Sequence, residues 1–468
     1  MKKLIYAFVA FIFTINFSKS QLLKVDTISF KGDVNKYINF VIMGDGYTLT
    51  EQDKFVSDAR KLTDYLFTQS PWLNYKNYFN VFAIRVVSAQ SGTKHPNTAN
   101  DCSTDPVPVS NPNTYFGCSF DAYGIHRLVV AEKASNIANV LLNNFPNYDQ
   151  AFIIANSIYY GGSGGDFATS TIQSNSNEIS AHELGHSFAK LIDEYYAGDV
   201  YSQEGINMTK QTDPSLVKWK NWMGVDEIGI YQHCCGGQSN LWYRPHNDCK
   251  MRYLNRPYCN VCREGLIEKI HSLTNPIVSY SPTTLEVNSN NKILLFRLKE
   301  IMYPVPNTLN IKWELDGINI LNNVDSVNID PNNLSNSKHL LTATVTDTSD
   351  MIRINNHSTK HFNLVTWTID KTSNTGVKLI SEDNKLSFSL YPNPSSKILN
   401  INISTEKKLN ASFKIVSIDG KVIQEISNEI IIDGNYTKDI IIGNLTSGTY
   451  ILVANLNGVN YSHLFVKE

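Results

Sequence analysis

The sequence predicts a multidomain protein in which a mixed α/β domain is followed by an immunoglobulin-like β-sandwich and a small C-terminal β domain. Three observations predict it. At 468 residues the chain is longer than one compact core requires. From Val25 to about Asn275, apolar strand-like runs alternate with helical patterns, whereas beyond Asn275 only short strands remain, separated by Asn, Ser, Asp and Pro. All seven cysteines (Cys102, Cys118, Cys234, Cys235, Cys249, Cys259 and Cys262) fall in the first of these regions. A formal net charge of -2 with 42% hydrophobic residues is ordinary for a soluble globular chain and supports neither a nucleic-acid nor a membrane-surface partner.

Residues 1–20 read as a signal peptide. Lys2 and Lys3 precede an apolar run from Leu4 to Phe17, and Ser18-Lys19-Ser20 offers small residues for cleavage before Gln21. The run is shorter than the roughly 18 to 20 residues that cross a bilayer, so no membrane-spanning segment is expected in the mature chain. In the α/β domain, 21–275, Tyr37 to Met43 reads as a buried strand that runs into Gly44-Asp45-Gly46-Tyr47. Phe55, Ala59, Leu62 and Leu66 mark one face of a helix. Asn80 to Val87 and Gln150 to Ser157 read as further strands, followed by the turn Gly161 to Gly165 and a β-prone run from Phe167 to Ile172. Lys292 to Leu298, Leu309 to Leu315 and His339 to Thr346 are strands at sandwich-like spacing within 276–371. Residues 372–385 read as a polar linker, and 386–468 as the last β domain.

The chemistry is concentrated in His182-Glu183-Leu184-Gly185-His186. Asn175 can cap a helix, with Glu178 placed to complete a capping box, and the helix then runs through Leu191 on a buried stripe of Ala181, Leu184, Phe188 and Leu191. On that helix His182 and His186 project from one side, a turn apart, where both imidazoles can reach a single zinc ion. Glu183 beside them can take a proton from a water acidified by the metal as it attacks a carbonyl carbon. A catalytic zinc normally has three protein ligands, and Asp193 is the candidate for the third, with Glu194 the runner-up. Asp193 reaches the metal only if the helix ends or bends near Ala189 to Leu191; were it straight, a distant carboxylate would be needed. The export signal favours disulfides for the cysteines, and the alternative for Cys249, Cys259 and Cys262, with His233, is a structural zinc knuckle.

The stretch from His182 to Tyr195 resembles the active-site signature of the IgA-peptidase family of bacterial zinc metallopeptidases. So do Ile42-Met43-Gly44-Asp45-Gly46-Tyr47, Ser91-Gly92-Thr93 before His95-Pro96, and the segment Cys249-Lys250-Met251-Arg252-Tyr253 through Cys259-Asn260-Val261-Cys262-Arg263. That family is similar to metzincins, so the resemblance implies a metzincin-like fold with Met251 beneath the zinc and Tyr253 within reach of the metal or the oxyanion. The chain departs from metzincins twice: Ala189 stands where they have Gly, and Asp193 falls one residue later than their third ligand. Tyr391-Pro392-Asn393-Pro394, Asp419-Gly420-Lys421 and Gly448-Thr449-Tyr450 resemble the sorting domain of type IX secretion.

The expectation is therefore a secreted or surface-bound zinc endopeptidase. Its zinc is held by His182, His186 and Asp193, with Glu183 and Tyr253 catalytic, a protein substrate along Phe167 to Ile172 as an edge strand, and type IX machinery as partner. A zinc hydrolase of non-protein amides and a surface adhesin on an inactive peptidase fold are the alternatives.

Overall fold

The computed structural model describes residues 22–102, 107–289, 292–361, 363–371, 386–405, 408–417, 421–457 and 459–468. The expected signal peptide, the linker 372–385 and Asp419-Gly420 lie outside the described residues. The chain forms two compact units. One takes in residues up to Pro276 with Met302–Leu309 and Asp347–His361; the other takes Ile277–Ile301, Asn310–Thr346 and Phe362–Glu468.

The first unit contains strands β1 (Val25–Ser29), β2 (Ile38–Asp45), β3 (Phe79–Ile84), β4 (Cys118–Ser119), β5 (Val130–Ala131), β6 (Gln150–Ala155), β7 (Gly162–Ser163), β8 (Ala168–Thr171), β9 (Tyr231–Gln232) and β10 (Tyr243–Arg244). Its α-helices among the described residues are α1 (Gln52–Leu66), α2 (Ala134–Asn144), α3 (Ser176–Ala189), α4 (Asn260–Leu273) and the one-turn α5 (His357–Lys360). The main sheet has the order β1-β3-β2-β6-β8-β7. β3, β2, β6 and β8 run parallel, while β1 and β7 are antiparallel to their neighbours. β2, β3 and β6 are buried along their whole length, which is why they read as near-continuous apolar runs. Phe55, Ala59, Leu62 and Leu66 of α1 are all buried, as their spacing predicts.

Two local expectations are corrected. Phe167 to Ile172 is not a free edge, because β8 is buried between β6 and β7. The glycine-rich turn lets β7 fold back over it, and the far side of β7 is itself bonded to the segment before β5, through Gly162 N–H to Arg127 O at 3.1 Å and Val129 N–H to Gly162 O at 3.3 Å. The capping box also fails to form. The Asn175 side chain makes no cap hydrogen bond, and Glu178 instead accepts from Lys250 Nζ and from Asn255 N–H, both at 2.7 Å. The carboxylate thus ties the start of α3 to the 250–255 loop, a lysine partner being stronger than a neutral amide.

In the second unit β11 (Ile277–Ser281), β13 (Leu294–Ile301) and β16 (Ser326–Ile329) form one sheet, and β12 (Glu286–Asn288), β18 (Asn363–Asp370), β17 (Lys338–Asp347), β14 (Leu309–Leu315) and β15 (Ile318–Asn322) form another. β14 and β18 alternate buried and less buried residues, so each has one core face, where Trp313 and Trp367 stack at 5.8 Å. The C-terminal strands β19 (Leu386–Tyr391), β20 (Ile398–Thr405) and β23 (Asn435–Ile441) form a third sheet. A fourth contains β21 (Leu409–Ser417), β22 (Val422–Ile432), β24 (Gly448–Leu456) and β25 (Val459–Lys467), and Ile401, Phe413, Leu452 and Phe465 belong to the shared core.

Candidate metal centre

α3 rests on the sheet through Ala181, Leu184 and Phe188, all buried, and Ser180 meets Ser170 of β8 through their hydroxyls at 2.7 Å. The helix stops at Ala189 because Lys190 adopts the left-handed conformation, with φ 56. Lys190 N–H then bonds His186 O at 2.9 Å, the 5→1 bond of a left-handed helix ending, and Leu191 N–H bonds Gly185 O at 3.1 Å. The reversal carries Asp193 back along the helix.

There the donors converge. Asp193 Oδ1 stands 3.0 Å from His182 Nε2 and 3.1 Å from His186 Nε2, and the two Nε2 atoms are 3.1 Å apart. Each ring is held from behind by a carbonyl, Lys250 O at 2.9 Å from His182 Nδ1 and Leu191 O at 2.6 Å from His186 Nδ1. That support keeps a proton on each Nδ1, so that with a metal bound both Nε2 lone pairs would be free to ligate it, the tautomer a metal ligand requires. Zinc bonds of about 2.0–2.2 Å to nitrogen and oxygen separate tetrahedral donors by about 3.3–3.5 Å, so this triangle fits zinc with a small expansion. Burial alone would raise the Asp193 carboxyl, but the two histidines hold it well below the usual carboxylate range; the same carboxylate lifts His186, against the pull of its own burial, to about 9.

The support beneath is equally specific. Met251 is fully buried, and a Cβ on Gly185 would stand 2.7 Å from its Sδ, so the thioether lies against the helix turn between the two histidines. Asn207, also buried, receives Ile192 N–H on its Oδ1 and donates to Ile192 O, each at 2.8 Å, fixing the backbone just before Asp193. Neither helical spacing nor motif singles out Asn207, a lone Asn in a loop.

Above the donors is a cleft of about 600 Å³, lined by His182, Glu183, His186 and Asp193 and walled by Ser163 to Asp166 and by Arg127, Leu128 and Tyr195. Gly162 and Gly164 make the wall possible: a Cβ on Gly164 would be 2.7 Å from His186 Cβ, and one on Gly162 would be 2.6 Å from Ile179 Cγ2. Burial raises the Glu183 carboxyl above its ordinary range, opposed by His182 and His186. Tyr195 hydrogen-bonds Arg127, and its ring lies 6.2 Å from that of His182. Tyr253 stands elsewhere. It is 48% exposed, its ring lies 4.8 Å from the Arg252 guanidinium, and it does not line the cleft. Glu194, the runner-up ligand, points to a different partner set, Asn207 and Cys262.

Among the described residues the one disulfide joins the neighbours Cys234 and Cys235, and Cys102, Cys118, Cys249, Cys259 and Cys262 are free thiols, so the wider disulfide set expected from the export signal is absent. His233 is buried but outside the group formed by Glu194, Cys249, Cys259 and Cys262. Two further groups are close enough to share an ion, His95 with Cys102, Asp121 and His126, and Glu268 with His357 and His361.

Residues 27–228 match the family model described as IgA Peptidase M64, and residues 389–468 match that of the secretion system C-terminal sorting domain. The first match takes in His182 to Tyr195 and ends before Cys249. M64 peptidases are generally metallopeptidases, and the sorting domain marks the chain for export to the cell surface or beyond. No curated protein matches. Similar solved structures include dimeric latent PorU from Porphyromonas gingivalis, at 12% identity over 41% of this chain and 20% of that one, with TM-score 0.17. Another is the apo β-glucuronidase 3 of Bacteroides uniformis, at 6% identity over 49% and 28%, with TM-score 0.16. The chain thus spans about a fifth to a quarter of these proteins, and the likenesses carry no argument about fold or activity.

Proposed function

From the premise that residues 27–228 are an IgA Peptidase M64 region in an exported chain, we propose a zinc-dependent endopeptidase that cleaves peptide bonds within protein substrates. The observation that carries this reading is the triangle of His182 Nε2, His186 Nε2 and Asp193 Oδ1 at the floor of a cleft that also receives Glu183. Those three side chains would hold the zinc, which when bound supplies Lewis acidity, acidifying a water and polarising a carbonyl. Glu183 takes the proton of the attacking water and later delivers it to the departing amine nitrogen. Its raised carboxyl pKa suits both halves of that task, because a base nearer neutrality also returns its proton readily. Arg127 and Tyr195 are placed on the cleft wall to meet the carbonyl oxygen as charge builds on it, and we assign them the contact that the sequence suggests for Tyr253. The substrate chain lies between Leu128 and the Gly164 to Asp166 loop.

In the same reading, 21–275 is the catalytic domain, metzincin-like with Met251 as the methionine beneath the metal, and 276–371 is an immunoglobulin-like sandwich. The test is hydrolysis of denatured casein by the full chain, with and without chelator and as Glu183→Ala. Chelator-sensitive cleavage that falls about 10²–10⁴-fold in Glu183→Ala, with zinc content unchanged, is the expected result. Undiminished cleavage by Glu183→Ala overturns the assignment.

A further inference from the structure

A second constellation lies behind the first. Cys249, Cys259, Cys262 and Glu194 each offer one donor atom, and all four donors lie within 4.8 Å of one another. Glu194, Cys249 and Cys262 are 0% exposed and Cys259 7%. Glu194 comes next after the candidate ligand Asp193, Cys249 precedes Met251 by two residues, and Cys259 is the cap residue immediately before α4.

The distances are those of metal ligands and not of a disulfide. Cys249 Sγ and Cys262 Sγ are 3.7 Å apart, whereas a disulfide closes to about 2.05 Å. Zinc–sulfur bonds of about 2.3 Å at tetrahedral angles put two sulfurs about 3.8 Å apart, and a sulfur and a carboxylate oxygen about 3.5 Å apart. Cys262 Sγ to Glu194 Oε1 is 3.3 Å. Cys249 Sγ also accepts the Cys259 backbone N–H at 3.3 Å, an arrangement that stabilises a thiolate.

A separate observation points to a missing cation. Glu194 Oε2 is buried and has no hydrogen-bond partner, and no Lys, Arg or His comes within ion-pair distance of this carboxylate among the described residues. A carboxyl buried with one oxygen unsatisfied is unfavourable unless a proton or a metal completes it. Three thiols stand on the same spot. Arg244, buried nearby, adds a positive field that offsets the charge of four anionic donors.

We propose that Cys249, Cys259, Cys262 and Glu194 bind a second, structural zinc ion. Four protein donors without an open position leave no place for substrate, so the ion's work is mechanical. It clasps the loop after α3 that carries Asp193, the Met251 turn and the start of α4, the three pieces that hold the floor of the first centre. Glu194 N–H to Met251 O at 2.8 Å already joins two of them.

The test uses the full chain as His182→Ala/His186→Ala, which removes two donors of the first centre, so that failure there and failure here are read separately. About one zinc per chain should remain. It should leave as a mercurial titrates three thiols, and it should be lost in the same background carrying Cys249→Ser/Cys262→Ser. Should that quadruple variant not fold, the cobalt-substituted His-pair variant carrying Cys102→Ser supplies the second measurement: a thiolate-to-cobalt charge-transfer band is expected. Absence of that band overturns the proposal. So does a mass spectrum of the denatured chain with Cys249 bridged to Cys259 or Cys262, or zinc that leaves with Cys102→Ser and stays with the Cys249/Cys262 pair changed.

Discussion

Gly185 occupies a position where no side chain fits, since its Cβ would press on Met251 Sδ. Gly185→Ala is therefore expected to destabilise the first unit by about 1–3 kcal/mol, the usual effect of an added methyl in a packed site. Thermal unfolding checks it, and Met251→Ala in the same chain should cost less than the two single changes added together, because the clash and the cavity fill one another. Asp45 gives the contrasting case. Part of a stretch that resembles a family signature, it does not line the cleft. Its carboxylate accepts from Thr114 Oγ1, Phe116 N–H and Cys118 N–H at 2.8, 2.8 and 2.7 Å, pinning the loop that leads to β4 at the end of β2. Neighbouring Gly46, at φ 73, is required because a Cβ there would meet Gly92 O at 1.9 Å.

At the scale of elements, the ending of α3 decides where Asp193 goes. The left-handed residue is Lys190, and Asp193 follows three residues after, which brings its carboxylate back to His182 and His186. A non-glycine residue held in that conformation costs about 1–2 kcal/mol, so Lys190→Gly should stabilise the fold by about 1 kcal/mol in a denaturant titration while leaving zinc content unchanged. Lys190→Pro, locked at negative φ, should lose both the turn and the metal. A different element, the Asp347–His361 stretch, is fastened to the first unit by the buried Asp347. Its carboxylate accepts from Tyr75 Oη at 2.7 Å and Thr308 Oγ1 at 2.7 Å, and His271 Nε2 lies 3.1 Å away. Burial by itself would raise this carboxyl; the bonds from His271 and Tyr75 outweigh it and hold it at about 2. A folded-state pKa below the unfolded one means stability that is complete above about pH 4 and is lost as pH falls toward 2, on the order of 2 kcal/mol. Asp347→Asn should start less stable at pH 7 and show a flatter decline between pH 4 and 2, as followed by circular dichroism.

Over the whole molecule, the first unit has both proposed metal centres, and the described residues of the second include strands arranged in four sheets. No helix among the described residues is long and apolar enough to cross a membrane. The C-terminal sheets have a core of their own, centred on residues such as Ile401, Ile415 and Leu452, and coincide with the sorting-domain match at 389–468. Deleting 386–468 should leave the chain inside a bacterium that has type IX secretion, while the intact chain reaches the surface or the medium; fractionation and immunoblotting distinguish the two.

Much of this was legible in the chain itself. Spacing pointed to α1, to most of α3 and to the core strands β2, β3 and β6, since a buried stripe at period 3.6 marks a helix and short apolar runs bounded by turns mark buried strands, and it placed His182, Glu183 and His186 on one helix. Long-range geometry was left to the tertiary structure. Only the fold decided that β8 is covered, that Glu178 binds Lys250 instead of capping its own helix, that Tyr195 and Arg127 line the cleft, and that Asn207 holds the backbone before Asp193. The same holds for Glu194, which faces three cysteines 55 to 68 residues further on. Helical and strand periodicities are set by bonds a few residues apart, whereas donors contributed by distant loops meet only once the chain between them has folded.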